Sequence, residues 1–280
     1  MSVSKSTNGR DGSHRQRLDT LLVSRGLARS REEAKRLILA GLARVDGQRV
    51  DKAGTQVPVD CRCELQAKPH PYVSRGGVKL AAALEAFGVD PADRICLDVG
   101  ASTGGFTHCL LLHGAKHVYA VDVGYGQLDQ SLREDDRVTV RDRTNARYLK
   151  PETFDQPISL VTVDVSFISA AKLFASLIAC VPKGDLIVLV KPQFEIGKGQ
   201  VGRRGIVREP VKHAEVLQSF AAAAGQFPLF LRGLIPSPIT GQKGNREFLA
   251  HLESGHRARG VTVVQRMIGS AVKAAQAAPA

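Results

Sequence analysis

The sequence predicts an α/β protein: a Rossmann-like domain with a mostly parallel sheet and an antiparallel edge hairpin, preceded by a small α+β module. Three observations carry this. From Gly77 onward, strand-like and helical segments alternate. A glycine-rich turn joins the buried strand at residues 95–99 to the helix after it. Residues 17–50 read as helix, turn, helix and hairpin.

Composition bounds the rest. The chain has 280 residues, long for one domain and comfortable for two. Hydrophobic residues make up 43% of it, enough to build real cores. Lys and Arg number 39 against 27 Asp and Glu, a net charge of +12 that points to a polyanionic partner, nucleic acid or an acidic membrane surface. No apolar run approaches the roughly 18–20 residues of a spanning helix. The opening MSVSKSTNGRDGSHRQR lacks the apolar stretch of a signal peptide. A cytoplasmic protein without a membrane partner is expected. Cys61, Cys63, Cys96, Cys109 and Cys180 fit neither a disulfide framework nor a zinc site, so reduced thiols and no metal are expected.

Residues 1–14 form a basic, aperiodic tail, read as flexible. The module at 15–66 follows. Leu18, Leu21 and Leu22 define its first helix, which Gly26 can end. Ser30 to Glu33 is a capping box opening a second helix with Ala34, Leu37 and Ile38 on its apolar face, and Gly41 closes it. ARVDGQRV reads as two short strands about an Asp46-Gly47 turn. Arg25, Arg29, Arg31, Lys35, Arg36, Arg44 and Arg49 are its candidates for contacting RNA phosphates. A solvated helix face would produce the same charge run.

Two prolines mark 67–74 as a linker. The domain at 75–254 has strands expected at 95–99, 117–123, 158–164 and 186–190, and helices at 77–87, 105–113, 167–180 and 210–224. Runs at 229–235 and 246–251, without a helix between them, make the edge hairpin. Residues 255–280 are a C-terminal extension with a helix over 260–276.

The turn in LDVGASTGGFT offers Gly100, Ser102, Thr103, Gly104, Gly105 and Phe106 to a ligand at a helix N-terminus. Its G-x-x-x-G-G spacing misses the dinucleotide fingerprint. Asp98 at the strand end suits the ammonium of S-adenosylmethionine, and Asp122 ends the next strand, where a carboxylate commonly bonds ribose hydroxyls. Asp142 and Asn145 follow a third strand, within reach of an adenine. Gly, Asp and Asn also fill ordinary turns. The repetition of acids after successive strands favours the cofactor.

Asp164 and Lys191 end the next two strands and so face the same crevice. Lys79 lies early in the preceding helix and Glu247 opens the last strand. A ribose 2′-hydroxyl needs a base to become a nucleophile, and a lysine can serve when burial or a neighbouring cation favours its neutral form. Lys79 and Lys191 supply such a pair, with Asp164 and Glu247 to orient them. Asp164 also borders the cofactor turn. Surface ion pairing is the ordinary fate of such residues, and spacing alone leaves Lys79 open to it.

Residues 17–50 resemble the S4 RNA-binding domain. VSRGGVKL, LDVGASTGGFT, VDVSFIS, LVKPQFE and SPITGQKGNREFL resemble the TlyA-like rRNA 2′-O-methyltransferases, a family also labelled haemolysin, in which an S4 domain precedes an FtsJ-like methyltransferase domain. The resemblance covers about residues 16–252. It implies methylation of cytidine 2′-hydroxyls in bacterial ribosomal RNA, so ribosomal RNA or ribosomal subunits are the expected partner; no obligate protein partner is evident from the sequence. By motif position the family's tetrad falls on Lys79, Asp164, Lys191 and Glu247, with Lys191 the favoured base. Competing readings are an inert RNA-binding assembly factor, a cytolysin and, remotely, a Rossmann oxidoreductase. The target nucleotide, the subunit and the oligomeric state are not legible.

Overall fold

The computed structural model describes residues 14–28, 30–39, 41–65, 70–197, 202, 205–241, 244–255 and 261–277. The expected tail (through residue 13), Arg29, and parts of the linker and C-terminal extension lie outside these. The chain divides into two compact units, Met1–Pro71 and Tyr72–Ala280.

In the first unit, β1 (Arg15–Arg17) leads into α1 (Leu18–Ser24), then α2 (Arg31–Leu39), β2 (Ala43–Val45), β3 (Gln48–Arg49), β4 (Gln56–Pro58) and β5 (Cys63–Leu65). Leu18, Leu21, Leu22, Ala34 and Ile38 form its core, as their helical spacing required. Ser30 Oγ accepts from Glu33 N at 3.1 Å, which caps α2. Asp46 and Gly47 both adopt positive φ, the geometry of the two-residue hairpin turn. Strands β1 and β4, which pair antiparallel, are too short to show a periodicity.

The second unit carries a seven-stranded sheet. Its elements are α3 (Gly76–Phe87), β6 (Ile95–Val99), α4 (Gly105–Leu112), β7 (His117–Val121), α5 (Gln130–Arg133), β8 (Val138–Arg141), β9 (Leu160–Val163), α6 (Phe174–Cys180), β10 (Gly184–Val190), α7 (Pro192–Glu195), α8 (Pro210–Ala224), β11 (Leu229–Pro236), β12 (Phe248–Ser254) and α9 (Val261–Ala277). The strand order is β11-β12-β10-β9-β6-β7-β8. The five strands from β10 to β8 are parallel, and β12 and β11 run antiparallel at the edge. The expected fold class is the one observed.

Alternation sorts the strand residues onto two faces. Leu97, Val99, Val161, Val163, Val188 and Val190 join one core with α6, α8 and α9. Cys96, Val118, Leu160, Ile187 and Leu189 join the other with α3 and α4. The C-terminal region is more than an extension: Ile268, Ala271, Val272 and Ala275 of α9 are buried in the first of these cores. Tyr72, counted with the linker, is buried in the second. The helix expected over 167–180 begins later, because 164–169 runs as an irregular loop and residues 170–173 form a 3-10 turn. Among the described residues no helix is long and apolar enough to cross a membrane.

Candidate active site

The site lies at the carboxyl ends of the parallel strands, where an open α/β sheet leaves its crevice. Register sets up one half of it. Val190 of β10 pairs with Phe248 of β12, so Lys191 and Glu247, each one residue further toward the crevice, end neighbouring strands. Val188 pairs with Val163 of β9, which brings Asp164 in beside them. Lys191 Nζ meets Asp164 Oδ1 at 2.6 Å and donates to Ser166 Oγ at 3.0 Å. The Asp164 contact is an ion pair without hydrogen-bond alignment. Lys79, on the first turn of α3, meets Glu247 Oε2 at 2.5 Å. Both lysines are only 9% exposed and Glu247 4%. Lys79 is thus no helix-surface residue. Gly241 holds the Glu247 carboxylate from beneath, since a Cβ there would lie 2.0 Å from Oε1. Arg75 donates to Thr240 O at 2.8 Å and ties the start of α3 to the loop bearing Gly241.

The other half is built on the glycine turn. Gly100 takes φ +84°, and a Cβ there would come within 2.5 Å of the Asp164 carbonyl oxygen, so the turn and the β9 end pack backbone to backbone. At Gly105, the first residue of α4, a Cβ would lie 2.2 Å from Ser74 Oγ and 3.1 Å from Gly76 Cα. This close approach sets the N-termini of α3 and α4 side by side. Asp122 accepts from Ser102 N at 2.8 Å and Gly124 N at 2.7 Å. Each oxygen has one amide partner and keeps a lone pair for a hydroxyl. Ser102 Oγ donates to Gln127 Oε1 at 3.2 Å, and Thr103 is exposed beside it. Asp142 accepts from Gly126 N and Arg133 Nη2 at 3.1 and 3.0 Å. Burial pushes its carboxyl up, but the Gly126 amide and Arg133 outweigh this and hold it below the usual range. Asn145 is exposed and caps the 3-10 turn Ala146–Tyr148 through Arg147 N.

Several expectations need correction. Asp98 is fully buried and offers no charge to a ligand. Its oxygens accept from Thr107 Oγ1 at 2.7 Å and Thr162 Oγ1 at 2.9 Å, bolting β6 to α4 and β9. Burial pushes its pKa up to about 6. The Phe106 side chain is 3% exposed and packs in the core, leaving only its backbone to the turn. In the first unit, Arg25 donates to the carbonyls of Cys61 and Val59. Arg31 and Arg17 are bound to the buried Asp19, whose carboxyl lies well below its usual range, chiefly through the Arg17 hydrogen bond. Arg44 donates to Gly47 O within its own hairpin. The Arg49 guanidinium lies over Gly41. Lys35 pairs with Glu32 at 3.1 Å. Arg36 is exposed on α2. Much of this cationic set therefore also makes bonds within the module.

Phe167 had no role in the sequence reading. It follows Ser166, is 87% exposed, and takes φ +66°, which is strained for a bulky side chain. Its ring lies 5.2 Å from that of Phe194. An aromatic immediately after a strand-end acid and serine was the available signal.

A glycine turn with a strand-end acid beside it, next to two lysine–carboxylate pairs, defines a group-transfer enzyme of the Rossmann-like methyltransferase class. Residues 72–254 match the FtsJ-like methyltransferase family, and residues 16–60 match the S4 domain. The chain is 47% identical over 242 residues to the 16S/23S rRNA (cytidine-2′-O)-methyltransferase TlyA of Mycobacterium tuberculosis, covering 86% of this chain and 90% of that protein. It is 40% identical over 237 residues to Hemolysin A of Brachyspira hyodysenteriae, covering 84% and 98%. A solved structure from Streptococcus thermophilus that bears the name hemolysin matches with a TM-score of 0.73 at 42% identity, over 95% of this chain and 98% of that one. The chain belongs to the FtsJ-like methyltransferase family, in the group that carries an S4 domain and includes the TlyA proteins. It is an S-adenosylmethionine-dependent methyltransferase.

Proposed function

We propose that this protein methylates ribose 2′-hydroxyls of cytidines in bacterial ribosomal RNA, with Lys191 as general base. One observation carries the reading: two buried lysine–carboxylate pairs, Lys79–Glu247 and Lys191–Asp164, stand at neighbouring strand ends beside the glycine turn. The names of relatives supply the nucleotide and the RNA. Ribosomal RNA as substrate implies a cytoplasmic site of action.

The residues present fit the cofactor by their donor chemistry. Asp122 has lone pairs for two ribose hydroxyls, Asp142 and Asn145 border the same wall, and the α4 N-terminus offers amides to a carboxylate. S-adenosylmethionine, when bound, supplies an electrophilic methyl group on its sulfonium. The neutral amine of Lys191, formed once its ammonium has given a proton to solvent, accepts the proton of the 2′-hydroxyl, and the ammonium that results is stabilised again by Asp164 and Ser166. Lys79, held by Glu247, presents a fixed positive charge to the developing alkoxide. Phe167 offers an exposed ring on which the acceptor base can stack, the usual means of gripping an unstacked nucleotide. On the S4 module, Arg36 and Lys35 on α2 remain the best placed of the proposed phosphate contacts.

The test is Lys191→Met. Labelled methyl transfer to ribosomal subunits should fall by about 10²–10⁴-fold, the usual weight of a general base. S-adenosylmethionine affinity, measured by calorimetry, should hold. Undiminished transfer would remove Lys191 from the role.

A further inference from the structure

The loop at 164–169 carries Asp164, Ser166 and the strained Phe167, yet it belongs to no regular element. Something must over-determine its conformation, because a bulky residue at positive φ relaxes when released. Val165 and Ile168 pack on the core, and the polar and ring ties of Ser166, Phe167 and Ser169 run to one short stretch, residues 191–195. Lys191 donates to Ser166 Oγ. The Phe194 ring packs on Phe167. Glu195, half-buried on α7, accepts from the Ala170 amide at 2.8 Å, and Ser169 also bonds it. Burial pushes the Glu195 carboxyl up against the pull of Ser169, the Ala170 amide and Lys172. The partners of this carboxylate, kept there at a desolvation cost, sit where the loop enters the 3-10 turn.

We propose that Glu195 is a positioning residue: by clamping the Ser169–Ala170 end of the loop to α7, it holds Phe167 in its exposed, left-handed pose beside Lys191. This rests on the reading of Lys191 and Phe167 as the acceptor side. Glu195 itself touches no reacting atom. The clamp sets how the acceptor nucleotide is presented, and it leaves the glycine turn untouched.

Two readouts on the full-length protein test this. The first is independent of activity. Chymotryptic cleavage after Phe167 should quicken several-fold in Glu195→Ala and stay near wild type in Glu195→Gln, whose amide oxygen still accepts from Ala170. The second is kinetic. Glu195→Ala should lose at least about tenfold in kcat/KM for RNA, as expected of a misplaced acceptor, while S-adenosylmethionine affinity and melting temperature hold. Added to Phe167→Ala, the same change should cost little more, since coupled residues are not additive. Unchanged cleavage in Glu195→Ala, full additivity with Phe167→Ala, or a parallel loss of cofactor affinity would each overturn the proposal. If the wild-type protein methylates no RNA, the acceptor reading fails instead, and the cleavage assay still decides whether Glu195 clamps the loop.

Discussion

The Lys79–Glu247 pair makes a prediction in which stability and activity separate. Glu247→Ala leaves the Lys79 ammonium buried, at 9% exposure, with its 2.5 Å counter-charge gone. Breaking such a pair from one side costs about 3–5 kcal/mol. For a unit of this size that corresponds to a fall in melting temperature of roughly 6–20 °C. Replacing both partners by apolar residues of similar volume, Lys79→Met with Glu247→Leu, removes the stranded charge and should recover most of that loss. Methyl transfer should not recover, because the double variant lacks the positive charge facing the hydroxyl. Calorimetric or fluorescence-monitored unfolding gives the first quantity, and labelled methyl transfer to ribosomal subunits the second. If Glu247→Ala melts within about 1 °C of wild type, the pair is not buried as described. If the double variant regains activity with its stability, the pair is structural only.

Three further outcomes follow from the same geometry. Gly100→Ala should destabilise the fold by more than about 1 kcal/mol and weaken cofactor binding, since the new Cβ meets the Asp164 carbonyl at φ +84°; denaturant unfolding and calorimetry check it. Burial pushes the Asp98 carboxyl up to about 6, from an ordinary value of about 3.9, so its contribution is fully present below about pH 4 and is lost as pH rises through 6, by about 3 kcal/mol at 1.36 kcal/mol per pH unit; Asp98→Asn should gain stability relative to wild type across that window, and parallel unfolding curves would contradict it. Arg25→Ala should cost the first unit about 1 kcal/mol through the lost bonds to Cys61 and Val59, while the salt dependence of RNA binding stays almost unchanged.

What the sequence disclosed follows physical lines. The placement of Asp164, Lys191 and Glu247 at the crevice was legible because each adjoins an apolar strand, and strand ends point into the crevice. The burial of Lys79 was not, since helix spacing says nothing of Glu247, which arrives at the start of β12 to pair with it. Asp98 was misread because its place at the strand end was weighed without its face: it shares the side of Cys96, toward α4, where Thr107 and Thr162 wait from distant parts of the chain. The internal bonds of Arg25 were hidden for a similar reason, its acceptors lying 34 and 36 residues away. The left-handed backbone of Phe167 depends on the loop's ties to residues 191–195, which no local propensity encodes.

The account stands most directly on where the methyl group goes. Ribosomal subunits incubated with the protein and labelled S-adenosylmethionine, then hydrolysed in alkali, should yield label in an alkali-resistant dinucleotide whose 5′ member is cytidine, because a 2′-O-methyl removes the hydroxyl that cleaves the chain. Label released entirely as base-modified mononucleotides would contradict it.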